Sequence, residues 1–146
     1  SIQYAKIVSV PSEKVDTNEL TGRVRVAFAE YEASAEQSTI TMFTIPNGAR
    51  LLSAAVSHDA LNTSTTLSVG NAAYTDADGT AVALDVDAYK AAAASTAATS
   101  SDALVTMALG KNAVVNANED GLPVTVTLAG ANGTGTIQLQ MFYVLD

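Results

Sequence analysis

From residue 23 onwards, apolar and polar residues alternate in short stretches along the chain. A period of two places successive side chains on opposite faces of a β-strand. In RVRVAFAEYE, Val24, Val26 and Phe28 share one face with Glu30, while the arginines lie on the other, as in a sheet with one wet face. The last two segments each align apolar residues on one face, first Val124, Val126 and Leu128, then Ile137, Leu139, Met141 and Tyr143.

Turn signals separate most of these stretches. Pro46-Asn47-Gly48 follows the segment STITMFTI, and Asn132-Gly133 is a pair favoured in two-residue hairpin turns. Further strand-like segments are ARLLSAAVSH, TTLSVG, AVALDVD and ALVTMALG. About eight short strands with regular turns predict an all-β fold, an antiparallel β-sandwich or a barrel, over residues 23–146.

One segment does not alternate. Residues 88–103 are rich in alanine, a strong helix former, and Asp87 could cap a helix at its N-terminus. The same small residues also suit a long loop across one end of the sandwich. The pattern leaves both a short helix and a loop open.

Residues 1–22 are predicted to be an N-terminal arm and linker. Five apolar residues show a ragged alternation before Pro11, which cannot donate to a strand ladder; they are Ile2, Tyr4, Ile7, Val8 and Val10. The polar stretch EKVDTNELTG then separates them from the body. We therefore expect the apolar residues of the arm to be buried, either on their own domain or on a neighbouring subunit.

Charge and composition narrow the function. Seven Lys and Arg against fifteen Asp and Glu give a net charge of −8, which disfavours binding to nucleic acid or to an anionic membrane surface. No apolar run approaches the ~20 residues that span a bilayer. Cysteine is absent, and only 15% of residues are charged, which favours burial of surface against a partner. We expect a product made in the cytoplasm, because removal of an initiator Met would leave a chain that opens with a residue such as Ser1.

Candidate catalytic chemistry is sparse. His58 is the only histidine, and its neighbours Ser57 and Asp59 would point to the opposite face of a strand, so they do not predict a catalytic triad. No nucleophile elbow is present. The sequence predicts no catalytic residue and no cofactor.

Three loops imitate ligand sites. Residues 76–79 and 116–121 echo the start of a calcium loop, but the second has Thr127 where the bidentate Glu should stand. The glycines of LAGANGTGTI are followed by a strand rather than by a phosphate-binding helix, which predicts a hairpin turn. We interpret all three as turns and expect no metal ligands.

The aromatic residues could serve a sugar-binding module. Such modules display exposed rings, and here Tyr74 and Tyr89 are predicted to lie in loops. Core packing accounts for Phe28, Phe43 and Phe142, which lie in predicted strands.

Several turn-and-strand motifs carry a resemblance to a known group. The residues are Ile45-Pro46-Asn47-Gly48-Ala49-Arg50-Leu51, Thr65-Thr66-Leu67-Ser68-Val69-Gly70-Asn71-Ala72 and Thr134-Gly135-Thr136-Ile137-Gln138-Leu139. Together with the acidic loop after Ala72, they resemble small head proteins of tailed bacteriophages over residues 43–146, leaving the arm unmatched. The resemblance implies a jelly-roll-like virion protein, a decoration or cement protein on the capsid exterior that contacts the major capsid protein.

The same resemblance implies a homo-oligomer, with a trimer favoured, and makes the arm a tie to the capsid or to a sister subunit. Two alternatives stay open. The protein could occupy another position in the virion, such as a fibre base or tail, or its loops could recognise a host glycan as a binding module.

Overall fold

A computed structural model describes residues 23–145 of the chain. The described residues form eight β-strands: β1 (Val24–Ile45), β2 (Arg50–His58), β3 (Thr66–Asn71), β4 (Tyr74–Thr75), β5 (Ala81–Val82), β6 (Asp85–Ala94), β7 (Thr99–Asp102) and β8 (Leu122–Val144). A single 3-10 turn covers Met107–Leu109. The prediction of an all-β antiparallel sandwich is confirmed. Among residues 23–145, no helix has the length and apolar character needed to cross a membrane.

Strand β8 organises the six-stranded sheet. It pairs with β1 on both sides of residues 129–132, while its other edge pairs first with β3 and then with β2. Strand β6 extends the sheet beyond β3, and β7 extends it beyond β2. The sheet therefore has two halves that share the long β1–β8 ribbon, and β4 and β5 form a separate small hairpin.

The ribbon bends between the two halves. Its register shifts near Ser34 and Glu36, where Ala35 has a φ of 58°. In β8 the buried apolar side chains stand at even-numbered positions up to Leu128 and at odd-numbered positions from Ile137, so the side of the strand that faces the apolar core changes across the bend. The inward side chains of both halves consequently join one apolar core, whose most buried members include Ile45, Leu51, Val56, Val69, Val124, Val126, Leu128, Ile137, Leu139 and Met141.

The predicted faces of β8 are confirmed, but the predicted turn inside it is wrong. The segments on either side of Asn132-Gly133 do not pair with each other as hairpin arms, because each is already paired on both edges. A second boundary also differs from the prediction. Strand β1 contains both RVRVAFAEYE, from Val24 onwards, and STITMFTI, which the sequence pattern separated.

The alanine-rich segment is neither a helix nor a loop. Residues 85–94 form β6, paired with β3, and residues 99–102 form β7, paired with β2. Backbone hydrogen bonding to sheet edges has overridden the helix propensity of alanine. The predicted strand ALVTMALG is also wrong, because it contains the 3-10 turn, capped by Thr106 and closed by Gly110.

Thr125 gives a prediction about stability. Its side chain is fully buried, and its hydroxyl has no hydrogen-bond partner among the described residues. Because an unpaired buried hydroxyl is costly, Thr125→Val should raise the free energy of unfolding by about 1 kcal/mol, measured by chemical denaturation. Thr127→Val is the control, since the Thr127 hydroxyl lies 2.9 Å from that of Thr39 and should yield no gain. A loss of stability in Thr125→Val would contradict the prediction.

Candidate interaction surface

The first residues of β1 expose apolar side chains to solvent. Val24, Val26 and Phe28 are 60%, 55% and 58% exposed. They lie on one face of the strand, as the alternation predicts, but that face is directed away from the core, and the residues that pack inward are Ala27 and Tyr31. The interpretation of Phe28 as a core residue is therefore wrong.

Neighbouring strands extend this apolar surface. In the antiparallel register Val24 lies opposite Val144 and Val26 lies opposite Phe142, so these pairs share one side of the sheet. We call Val24, Val26, Phe28, Phe142 and Val144 the apolar face. The interpretation of Phe142 as a core residue is therefore wrong as well.

The apolar face has polar and charged neighbours. The row through Val144 continues to the exposed Arg50 and then to Val114, which is 51% exposed. The next positions along the ribbon are Gln140 and the exposed Glu30. An apolar centre with a polar rim is the usual composition of a protein interaction site.

The edge of β1 adds backbone groups to this surface. Within residues 23–145, β1 pairs with β8 alone, so its second edge has no strand partner. An unpaired edge can accept a strand from another chain, and proteins normally shorten or cover such edges. The edge and the apolar face meet at the first residues of β1.

A polar groove of about 360 Å³ lies at the other end of the same sheet face. Its lining residues are Glu30, Ser57, His58, Asp59, Thr99, Thr136 and Gln138. These groups mostly bond to one another: Gln138 Nε2 donates to Glu30 Oε2 at 2.6 Å, and the Thr136 amide donates to Asp59 Oδ2 at 3.1 Å. The groove is thus a hydrogen-bonded continuation of the sheet.

The side chains of Ser57, His58 and Asp59, which the sequence analysis compared with a catalytic triad, do not converge. The Ser57 hydroxyl donates to Ser100 at 2.8 Å, and His58 Nδ1 lies 2.7 Å from the carbonyl oxygen of Asp59. In the part of the chain that the structure describes, the side chains of Ser57, His58 and Asp59 share no hydrogen bond.

Both calcium-like loops are tight turns. Asp76 Oδ1 accepts the amides of Asp78 and Thr80 at 3.0 and 2.8 Å, which closes the β4–β5 hairpin. Asn118 Oδ1 accepts the amide of Asp120 at 3.0 Å in the same way. Residues 23–145 contain no group of three acidic or histidine side chains placed to hold a metal ion.

The two tyrosines considered for sugar binding lie in strands rather than in loops. Tyr89, on β6, is 8% exposed, and its burial, with smaller contributions from Tyr74 and Asp85, raises the pKa of its hydroxyl. Tyr74, on β4, packs against the core. Tyr74 is half-buried and lines a cavity of about 400 Å³ with Thr75, Asn118 and Asp120, whereas the Tyr89 ring is buried.

The residues that the sequence favoured for contacts lie outside the described residues. They are Ile2, Tyr4, Ile7, Val8 and Val10. The sequence analysis missed the apolar face, although the alternation of Val24, Val26 and Phe28 was visible. A run of apolar residues on one face does not reveal whether that face meets the core or the solvent.

Comparison with solved structures finds phage-capsid chains with a similar fold. A chain in the capsid of Ralstonia phage GP4 superposes with a TM-score of 0.63 at 23% identity, and 86% of each chain is covered. Cyanophage Pam1 (TM-score 0.56, 20% identity, 86% of each chain) and Helicobacter pylori bacteriophage KHP30 (0.51, 19%, 86% of this chain and 90% of that one) provide further capsid chains.

The fold is that of these phage-capsid chains. The matches with GP4 and with Pam1 each cover the same fraction, 86%, of this chain and of the capsid chain. The matched capsid chains are therefore about as long as this one. No protein-family model matches the sequence, and no curated protein matches it either. The likeness to capsid chains agrees with the resemblance seen in the sequence motifs.

Proposed function

We propose that this jelly-roll-like sandwich is a structural protein of a phage virion, a decoration or cement protein that binds the outer surface of the head. The observation that carries the proposal is the exposed apolar face, on a fold shared with three phage-capsid chains. The comparable length of the matched chains supports a small accessory subunit. The negative net charge disfavours a role inside the head against DNA.

In this role the protein acts by binding to the capsid shell. A protein that binds only the expanded shell stabilises that shell by mass action, without any catalysis. The contact with the major capsid protein would use the apolar face and the adjacent edge of β1, with the arm residues Ile2–Val10 as a further contact to the capsid or to a sister subunit. We favour a trimer, because a closed ring of copies matches a local symmetry axis of a shell.

Co-sedimentation with capsids tests this function. Expanded capsids of the phage that encodes the chain, assembled without it, should retain the added protein and melt at a higher temperature. Val26→Asp should weaken the binding at least about tenfold, because it places a charge in the centre of a desolvated contact.

Leu84→Asp is the matched control. Leu84 is 52% exposed against 55% for Val26, but it lies between β5 and β6, outside the apolar face. This variant should bind like the unmodified chain. Failure of the unmodified chain to sediment with capsids would refute the decoration role, and equal binding by Val26→Asp and Leu84→Asp would refute the assigned contact.

The glycan-binding alternative rests on one feature, a second cavity of about 400 Å³ that Tyr74 lines together with Asn118 and Asp120. The polar groove lacks an aromatic lining, and Tyr89 is buried. We therefore put forward a single function.

A further inference from the structure

We infer that, in the free protein, residues 2–10 cover the apolar face of their own chain. The inference concerns the protein before it meets a capsid and does not depend on the decoration role. The contact would bury two apolar surfaces, and exposure of either one to water is unfavourable. One is the apolar face, and the other is the apolar part of the arm.

Chain connectivity places the two surfaces together. Only Arg23 separates residues 1–22 from β1, and the first residue of β1, Val24, is already part of the apolar face. The face extends only from Val24 to Phe28 along β1, about 13 Å at 3.3 Å per residue. The linker of residues 11–22 can extend to about 40 Å, so residues 2–10 can reach every part of the face.

The composition of the arm matches the face. Five of the nine residues from Ile2 to Val10 have large apolar side chains, and four of these five are even-numbered: Ile2, Tyr4, Val8 and Val10. An extended segment would direct those four to one side. The unpaired edge of β1 can also bond to the backbone of a neighbouring extended segment.

The tether favours the chain's own arm over a second copy. A short linker gives the arm a millimolar effective concentration at the face, whereas a second copy must compete at its bulk concentration. At micromolar protein the intrachain contact should therefore dominate.

Disulfide trapping provides a direct test, because the chain has no cysteine of its own. Gln140 lies opposite Phe28 and is exposed, so Gln140→Cys places a thiol on the face without removing an apolar side chain. It is combined in turn with Tyr4→Cys and with Val8→Cys. The control replaces Gln140→Cys by Thr39→Cys, an exposed position on the other half of the sheet.

We expect oxidation at micromolar protein to form intrachain disulfides at least about tenfold faster with Gln140→Cys than with Thr39→Cys. The difference should hold for at least one of the two arm variants, Tyr4→Cys or Val8→Cys. Peptide mapping and non-reducing electrophoresis read the result. Disulfides between chains would overturn the inference in favour of a second copy. Equal rates for the Gln140 and Thr39 pairs would overturn it in favour of an arm that does not contact the face.

A truncation gives a readout that does not depend on disulfide geometry. Removal of residues 1–11 should increase the fluorescence of a dye that binds apolar surface, and Val26→Asp in the truncated chain should reverse the increase. Unchanged dye binding after truncation would contradict the inference. Neither experiment contains capsids, so their failure and the failure of the decoration role are distinguishable.

Discussion

Gly70→Ala is expected to lower the free energy of unfolding by about 3 kcal/mol, near the upper end for overpacking a protein interior. A Cβ on Gly70 would overlap the carbonyl oxygen of Asp85 and would lie 2.6 Å from the carbonyl carbon of Val86. Both are backbone atoms, so no side-chain rotation can relieve the contact. The pairing of β3 with β6 shifts register at this point, and the bulged chain crosses closely over Gly70.

Thermal and chemical unfolding measure the effect, with Gly79→Ala as the control. A Cβ at Gly79 meets nothing within 4 Å, although its φ of +87° is unfavourable for alanine. The control should therefore lose only about 1 kcal/mol. Comparable losses in the two variants would show that β6 can move away from β3.

Gly130→Ala should also cost about 3 kcal/mol, through strain and overpacking together. Gly130 has a φ of +82°, and its added Cβ would overlap the carbonyl oxygen of Ser64. It stands at the bend of β8, where the strand leaves β3 and continues towards β2. We expect the same variant to bind capsids less well, because the bend sets the position of the second half of the sheet, which carries the apolar face.

Gly133→Ala is the comparison within the same bend. The nearest atoms to its Cβ would belong to the Leu128 side chain, with Cδ2 at 2.7 Å, whereas the nearest atom at Gly130 is a backbone oxygen. A loss of about 1 kcal/mol is expected. If Gly133→Ala proves as costly as Gly130→Ala, the bend as a whole rather than the Ser64 contact limits substitution. Denaturant unfolding of both variants distinguishes these outcomes.

Much of the strand pattern was predictable from the sequence. The alternation of Val124, Val126 and Leu128 with threonines identified the buried face of β8, because a strand's period of two is a local property of the backbone. The acidic and glycine-containing loop at residues 76–79 was likewise recognisable as a turn, since Asp76 bonds to amides only a few residues away. The class of fold followed from these local signals.

Long-range pairing decided the rest. The alanine-rich residues 88–94 became a strand because the edge of β3 was available to them, and the glycines of residues 130–135 became a bend because β1 pairs on both sides of them. The same is true of the apolar face. Alternation places Val26 and Phe28 on one side of β1, but only the tertiary packing determines that Ala27 and Tyr31 occupy the core and leave that side exposed.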